Sequence, residues 1–144
     1  EEIARAYEAH MAEVAEFCPG GYQLAAAASQ SGQLVIATNG LAEVQRSRIL
    51  KAGLGDLASL IWISGEIKLA KPDPAFYLDA IDRLGGRPKQ SIAIGDSAST
   101  DGLCANLAGI PFWWINWKGA PAEIDAAREF SCTRDASAYL ADNN

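Results

Sequence analysis

Two aspartates, Asp96 and Asp101, follow an apolar run in the segment SIAIGDSASTDG and are separated only by small side chains. The run at 91–95 predicts a buried strand that ends in a tight turn. A helix is predicted to begin near Asp101, where the macrodipole favours negative charge. A turn and a helix cap explain one aspartate. Two carboxylates on a strand-to-helix loop are also suitable ligands for a hard cation, so metal-assisted chemistry is the candidate.

Other polar groups of matching chemistry occur at Thr38-Asn39-Gly40 and at Lys71 in the segment LAKPDPAFY. Taken alone, the first is an ordinary turn and the second an ordinary helix start with proline in its first turn. Their order along the chain changes the interpretation. A hydroxyl, an amide and an ammonium precede the two carboxylates, and each lies at a predicted strand or helix end. Together these groups would suit a phosphate held beside Mg²⁺.

The elements that must position these groups alternate between strands and helices, which predicts an α/β fold with a parallel, Rossmann-like sheet sandwiched by helices. In such sheets ligands bind at the carboxyl ends of the strands, so these polar groups are expected in one crevice. The predicted strands are 34–37, 60–63, 91–95, 112–115 and a short one at 130–133. The predicted helices are 2–17, 22–29, 41–52, 72–84, 101–108, a weak one at 121–128 and a final turn.

Composition excludes several classes of function. The chain has 144 residues, 49% of them hydrophobic, and a net charge of −6. It therefore has no basic footprint for a nucleic acid polymer and no polybasic patch for anionic lipid. No apolar run is long enough to span a membrane. Three cysteines, Cys18, Cys104 and Cys132, lack metal-ligand spacing. They are interpreted as reduced packing residues of a cytoplasmic protein.

Three motifs in this order resemble the haloacid dehalogenase superfamily of hydrolases, and the resemblance covers nearly all of 18–144. IATNG is similar to the family's second motif, Lys71 of KPDP to its third, and IGDSASTD to its fourth. Residues 38–54 together with the late FWWINW resemble the branch of small-molecule phosphatases that includes pyrimidine 5′-nucleotidases. The tryptophans of FWWINW are themselves interpreted as core and edge packing, since an aromatic strand needs no ligand.

The resemblance implies a role for each phosphate-binding group. Thr38 would donate its hydroxyl to the transferring phosphoryl group, with Asn39 and backbone N–H groups such as that of Gly40 assisting. Lys71 would neutralise the phosphate and hold the nucleophile's carboxylate, a point-charge role suited to an ammonium. Phosphoryl transfer depends mainly on such charge neutralisation and alignment. The implied substrate is a small phosphorylated metabolite such as a nucleotide.

The same resemblance implies a magnesium cofactor. Asp96 would ligate Mg²⁺ directly, while Asp101 would support the metal through water or through Lys71. Dehalogenases of this superfamily need no metal and lack the carboxylate at the position of Asp96. The implied reaction is therefore hydrolysis of a phosphomonoester through an aspartyl-phosphate intermediate, with a 2-haloacid dehalogenase as an alternative.

The sequence departs from the family at the nucleophile. The family attacks phosphorus with the first aspartate of a DxD motif after an N-terminal strand, and no DxD occurs here. Residues 1–17 then resemble the last helix of the mobile cap, and 18–144 the catalytic core. The chain is either a fragment of an ordinary phosphatase or a natural non-catalytic binding or regulatory relative. The absence of an initial Met favours the fragment. In both cases residues 1–144 alone are expected to be inactive and to bind Mg²⁺ weakly.

In this family the strand that carries DxD lies between the strands predicted here at 33–38 and 91–95. Without it, those two strands are expected to flank a slot, with Thr38, Lys71 and Asp96 facing it. The slot could be filled by a partner chain in a homo-oligomer or by an N-terminal segment absent from this sequence. Direct pairing of the two strands would draw Thr38 and Asp96 together by about one strand spacing, roughly 4.8 Å, and leave no space for phosphate.

Overall fold

The computed structural model describes residues 19–121 and 123–143. The predicted helix at 2–17 and the assignment of 1–17 to a cap lie outside the described residues. The strands are β1 Val35–Thr38, β2 Leu60–Ile63, β3 Ala93–Gly95, β4 Phe112–Ile115 and β5 Arg128–Phe130. The α-helices are α1 Gly21–Ser31, α2 Ala42–Lys51, α3 Ser64–Ile67, α4 Ala75–Arg83, α5 Leu103–Ala108 and α6 Thr133–Asp142. A 3₁₀ turn occupies Pro88–Gln90, and a π-helical turn at Ala98–Gly102 leads into α5.

The strands form two parallel sheets. In one, β1 pairs with β2 in a register that places Thr38 opposite Ile63. In the other, the order is β3-β4-β5, and Gly95 of β3 lies opposite Trp114 of β4. All pairs are parallel and are connected by helices or loops, so the predicted α/β fold is confirmed.

The two sheets do not join among the described residues, because β1 and β3 are not hydrogen-bonded to each other. Both are apolar runs, which normally need a neighbour on each edge and cover on each face. Yet every residue of β1 and β3 is only half-buried, whereas β4 is buried throughout. We call the space between β1 and β3 the inter-sheet gap. The prediction that β1 and β3 do not pair with each other is confirmed.

Helices hold the two sheets together around the inter-sheet gap. Helix α1, which leads into β1, packs along α6, which follows β5. The Thr133 hydroxyl at the start of α6 donates a hydrogen bond to the carbonyl of Pro19. The contact is close, because a Cβ at Gly20 would lie 3.0 Å from the Arg134 nitrogen. The first and last described helices therefore link the β1–β2 sheet to the β3–β5 sheet.

A second connection is apolar and runs through α4 and α5. Trp62 of β2 packs with Phe76 of α4 and Cys104 of α5 in one buried cluster. The Trp62 indole N–H donates to the Phe76 carbonyl at 2.7 Å, which satisfies the polar atom of this buried ring. Tyr77 packs against this cluster and also against the cluster around Phe112 and Trp114. The core is thus continuous from one sheet to the other.

The end of the chain differs from the sequence prediction. The helix predicted at 121–128 is wrong for the described residues, which run as a loop into β5. The reason is tertiary. Ile124 and Ala126 pack against the core, and the Ala127 N–H donates to the Phe112 carbonyl at 2.8 Å. The outer edge of β4 therefore recruits this segment as a strand. The short strand predicted at 130–133 occurs at Arg128–Phe130, and the predicted final turn is the full helix α6.

None of the helices in the described ranges is long and apolar enough to cross a bilayer.

The inter-sheet gap leads to a prediction about association. Strand edges that carry unpaired backbone groups beside apolar side chains are templates for pairing with another chain. We expect residues 1–144, purified alone, to form oligomers or soluble aggregates, which light scattering after size exclusion measures over a range of concentrations. A monomer at all concentrations that unfolds cooperatively, with β1 and β3 hydrogen-bonded to each other, would contradict this expectation.

Candidate active site

The ammonium of Lys71 lies at the mouth of the inter-sheet gap and contacts the last turn of chain on each side of it, in β1 and in the π-helical turn after β3. Its Nζ donates to Asp101 Oδ1 at 2.6 Å and to the carbonyl of Ala37 in β1 at 3.4 Å. The two charged side chains are only 12% and 10% exposed. A short, charge-assisted bond in such a shielded place is strong, because little water competes with it. The structure therefore fixes a positive charge beside the carboxyl end of β1.

The backbone of Lys71 is held by Asn39, the residue directly after β1. The Asn39 Nδ2 donates to the Lys71 carbonyl at 2.9 Å, and the Lys71 N–H donates to Asn39 Oδ1 at 3.0 Å. The Asn39 side-chain amide therefore pairs with the Lys71 backbone as a peptide group would, although the two residues are 32 positions apart in sequence. Asn39 and Lys71, both predicted site residues, are therefore in direct contact.

Thr38 ends β1 and presents its hydroxyl to α2. The Oγ1 donates to Gln45 Oε1 at 3.2 Å, with the carbonyl of Asn39 as an alternative acceptor at 3.3 Å. Gln45 was not predicted as a site residue. The only sequence signal for it is its position one turn into the helix that follows the TNG segment. It orients the hydroxyl that the resemblance assigns to phosphate.

Gly40 is engaged with the segment that follows β2. Its N–H donates to Ser64 Oγ at 2.9 Å, and its carbonyl accepts from the Gly65 N–H at 3.1 Å. Its φ of +145° favours glycine, and a Cβ there would lie 2.8 Å from Gln45 Nε2. These contacts brace the loop after β1. In this arrangement the Gly40 N–H, which the resemblance assigns to phosphate, is hydrogen-bonded to Ser64.

The two aspartates have different surroundings. Asp101 is buried, and its Oδ2 accepts from the Ser97 N–H at 3.2 Å while Oδ1 accepts from Lys71. Asp96 is exposed at the end of β3, and no described side chain pairs with its carboxylate. Its position is fixed through its backbone, whose carbonyl accepts from the Trp114 indole N–H at 3.1 Å.

This donor set fits Mg²⁺ only in part. No group of three or more acidic, cysteine or histidine side chains that could hold a metal occurs among residues 19–121 and 123–143. Asp96 is free to be a ligand, whereas Asp101 is committed to Lys71. Proteins commonly bind Mg²⁺ through one or two carboxylates plus substrate phosphate oxygens and water. One free carboxylate beside a bound phosphate would satisfy that pattern, with Asp96 as the protein ligand.

Two other ionisable groups near Lys71 are held neutral. Burial raises the pKa of the Cys104 thiol to about 11, and the thiol contacts the Asp73 carbonyl at 3.2 Å. Burial, with the charge of Asp101 as a smaller cause, raises the pKa of the Tyr77 phenol. A nucleophilic cysteine needs a lowered pKa. Neither group is therefore suited to act as a nucleophile near neutral pH.

The tryptophans of FWWINW divide into two groups. Trp113 and Trp114 in β4 are buried, which confirms their interpretation as packing residues. Trp117 lies in the turn after β4 and is 44% exposed. Asn116 holds that turn, since its amide donates to the Ala120 carbonyl and accepts from the Ala120 N–H.

Parallel strands connected by helices, with a hydroxyl, an ammonium and carboxylates at their carboxyl ends, define a Rossmann-like α/β fold with a candidate active site. The family model described as haloacid dehalogenase-like hydrolase matches residues 1–109. The chain belongs to this family.

The curated relatives include phosphatases of small molecules. A phosphoserine phosphatase of Thermus thermophilus is 31% identical over 83% of this chain and 48% of its own length. The pyrimidine 5′-nucleotidase YjjG of Escherichia coli is 31% identical over 80% of this chain and 53% of its own length. The chain thus spans about half the length of the curated relatives it matches.

Solved structures share the fold. The HAD-hydrolase YfnB of Bacillus subtilis, crystallised with magnesium, superposes with a TM-score of 0.87 at 24% identity over 94% of this chain and 61% of its own. A 2-haloacid dehalogenase of Pseudomonas syringae superposes with a TM-score of 0.74 at 25% identity over 90% of this chain and 55% of its own. Structural similarity alone therefore does not separate phosphatase from dehalogenase.

Proposed function

We propose that this chain is the phosphate- and metal-binding part of a Mg²⁺-dependent phosphatase that hydrolyses small, nucleotide-like phosphomonoesters through an aspartyl-phosphate intermediate. The observation that carries the proposal is the shielded Lys71 ammonium. It is held by Asp101 and the carbonyl of Ala37 at the carboxyl end of β1. The phosphatase and nucleotidase activities of the curated relatives support the choice of substrate class.

In this proposal each group has a task that follows from its chemistry. Lys71 offsets the charge on the equatorial oxygens of the phosphoryl group, and Asp101 holds that ammonium in place through the 2.6 Å contact. The Thr38 hydroxyl exchanges its bond to Gln45 for one to a phosphoryl oxygen, which replaces one hydrogen bond by another. A magnesium ion bound through Asp96 would supply further charge neutralisation at the transferring group.

The nucleophile and the general acid would be carried by a strand that fills the inter-sheet gap. A strand placed between β1 and β3 would end beside Lys71, Thr38 and Asp96, since the carboxyl ends of parallel strands gather at one edge. In this proposal that strand carries the family's DxD and belongs to a longer form of the protein. A non-catalytic binding protein is the alternative if no such strand exists.

The proposal predicts metal-dependent release of phosphate. The gene product that includes the coding sequence upstream of residue 1 is assayed on nucleoside monophosphates, phosphoserine and 2-chloropropionate, with and without EDTA. We expect phosphate release that EDTA abolishes. The substitutions Asp96→Asn and Lys71→Met should each lower kcat by at least about 100-fold, because charge-stabilising groups in active sites contribute on this scale.

Lys89→Met is the matched control, since Lys89 is exposed on the 3₁₀ turn after α4. Its activity should equal that of the unmodified protein. Chloride release from 2-chloropropionate without metal would instead assign the protein to the dehalogenases. Binding of phosphate esters without turnover would favour the non-catalytic alternative.

A further inference from the structure

We propose that Asn39 is a positioning residue that determines where the Lys71 ammonium lies. The role of that ammonium in catalysis rests on the proposed function, whereas the hydrogen bonds between Asn39 and Lys71 do not depend on it. The resemblance assigns the Asn39 side chain to phosphate. In the structure its oxygen and one of its two amide protons are instead used on the Lys71 backbone, at 3.0 and 2.9 Å.

The ammonium of Lys71 needs such support because it must reach two acceptors in separate parts of the fold. One is the Ala37 carbonyl of β1 and the other is the Asp101 carboxylate after β3. A lysine side chain has many rotamers, and fixing it at 12% exposure costs conformational entropy. If the Lys71 backbone shifts, the side chain cannot keep both contacts. The backbone must therefore be fixed relative to β1.

Among the described residues, no strand pairing fixes the Lys71 backbone. Lys71 precedes α4 and lies outside both sheets. Its peptide N–H and carbonyl are instead paired with the amide of Asn39, which follows β1 directly. The two bonds act at both ends of the residue, so they restrain its rotation as well as its distance. Asn39 therefore fixes the Lys71 backbone relative to β1, and the fixed backbone in turn fixes where the ammonium can lie.

The chain contains a matched control for this contact. The Asn106 amide donates to the Asp125 carbonyl at 2.8 Å and accepts from the Asp125 N–H at 2.9 Å. Both asparagine contacts are exposed and join distant segments. Asn106→Ala therefore removes the same two kinds of hydrogen bond without touching Lys71. Any effect of Asn39→Ala beyond that of Asn106→Ala is specific to the lysine.

The experiment measures how fast each lysine of folded 1–144 reacts with ¹³C-formaldehyde and a borohydride reductant, read by mass spectrometry. Lys71 should react slowly in the unmodified chain because it is shielded and ion-paired. In Asn39→Ala its rate should rise about tenfold, since two hydrogen bonds of ordinary strength are lost. Asn39→Asp keeps an acceptor for the Lys71 N–H but lacks the donor, so its rate should be intermediate. Lys89 and Lys118, both exposed, serve as internal standards.

Asn106→Ala should lower the melting temperature about as much as Asn39→Ala and leave the Lys71 rate unchanged. Equal acceleration of Lys71 in both alanine variants would overturn the proposal, because the effect would then be general loosening. An unchanged Lys71 rate in Asn39→Ala would also overturn it. The labelling uses no substrate. If the longer gene product releases no phosphate while the Lys71 rate in 1–144 still depends on Asn39, the proposed function is removed and this inference stands.

Discussion

Lys71→Met is expected to lower the free energy of unfolding of this chain by about 3–5 kcal/mol, the range found when one partner of a buried ion pair is removed. The substitution keeps most of the side-chain volume and removes the ammonium with its hydrogen bonds to Asp101 and the Ala37 carbonyl. It leaves the Asp101 carboxylate, which is 10% exposed, without its cation. The remaining donor to that carboxylate is the Ser97 N–H at 3.2 Å. A single neutral donor offsets only a small part of the cost of burying a charge.

Urea denaturation followed by circular dichroism measures this loss, with Lys89→Met as the control for removal of an exposed lysine. Asp101→Asn, made alone and in the Lys71→Met background, completes a double-mutant cycle. In the Lys71→Met background the effect of Asp101→Asn should be favourable. It should recover about 1–3 kcal/mol, because neutralising the orphaned carboxylate removes the penalty that the first substitution created. Strictly additive effects would show that the 2.6 Å contact contributes nothing to folding.

The second large effect is expected from Gly95→Ala. A Cβ on Gly95 would lie 2.3 Å from Asp101 Oδ2 and 2.6 Å from its Cγ. The carboxylate cannot move aside easily, because Lys71 and the Ser97 N–H hold its two oxygens. The substitution should therefore cost the strain of overpacking, about 1–3 kcal/mol, and weaken the ion pair as well. The total loss should approach that of Lys71→Met.

Gly32→Ala is the matched control for adding a methyl group. Its φ of 170° is extended backbone, and a Cβ there meets nothing within 4 Å. Thermal unfolding should show a small change for Gly32→Ala and a large decrease in melting temperature for Gly95→Ala. If Gly95→Ala is as stable as the unmodified chain, the carboxylate of Asp101 is more mobile than its two contacts indicate.

The order of the strands and the position of the crevice could be predicted from the sequence because they depend on local signals. Short apolar runs bounded by turns predicted four of the strands. The rule for carboxyl ends of parallel strands then placed Thr38, Lys71 and Asp96 in one region. Lys71 and Asp101 indeed form an ion pair. Their catalytic and metal-binding roles remain predictions.

The contacts of the crevice could not be predicted because they join residues far apart in sequence. The pairing of Asn39 with the Lys71 backbone spans 32 positions, and nothing in a TNG turn indicates which backbone it will meet. The short strand predicted at 130–133 lies at Arg128–Phe130, and its bounds were predicted incorrectly for a related reason. Its residues have no strong strand pattern, and the backbone of β4 recruits them. Pairing with a neighbouring strand in the folded protein outweighs a weak local preference of the sequence.

The packing of α1 along α6 also bears on when the chain can fold. The hydroxyl of Thr133 reaches the Pro19 carbonyl across 114 positions of sequence. Contacts of such long range form late, since the entropy of closing the intervening loop must be met first. During synthesis, α1 would emerge from the ribosome long before α6, the helix that packs along it. Chaperones that bind exposed apolar segments would have their main opportunity in that interval, before the last described helix is made.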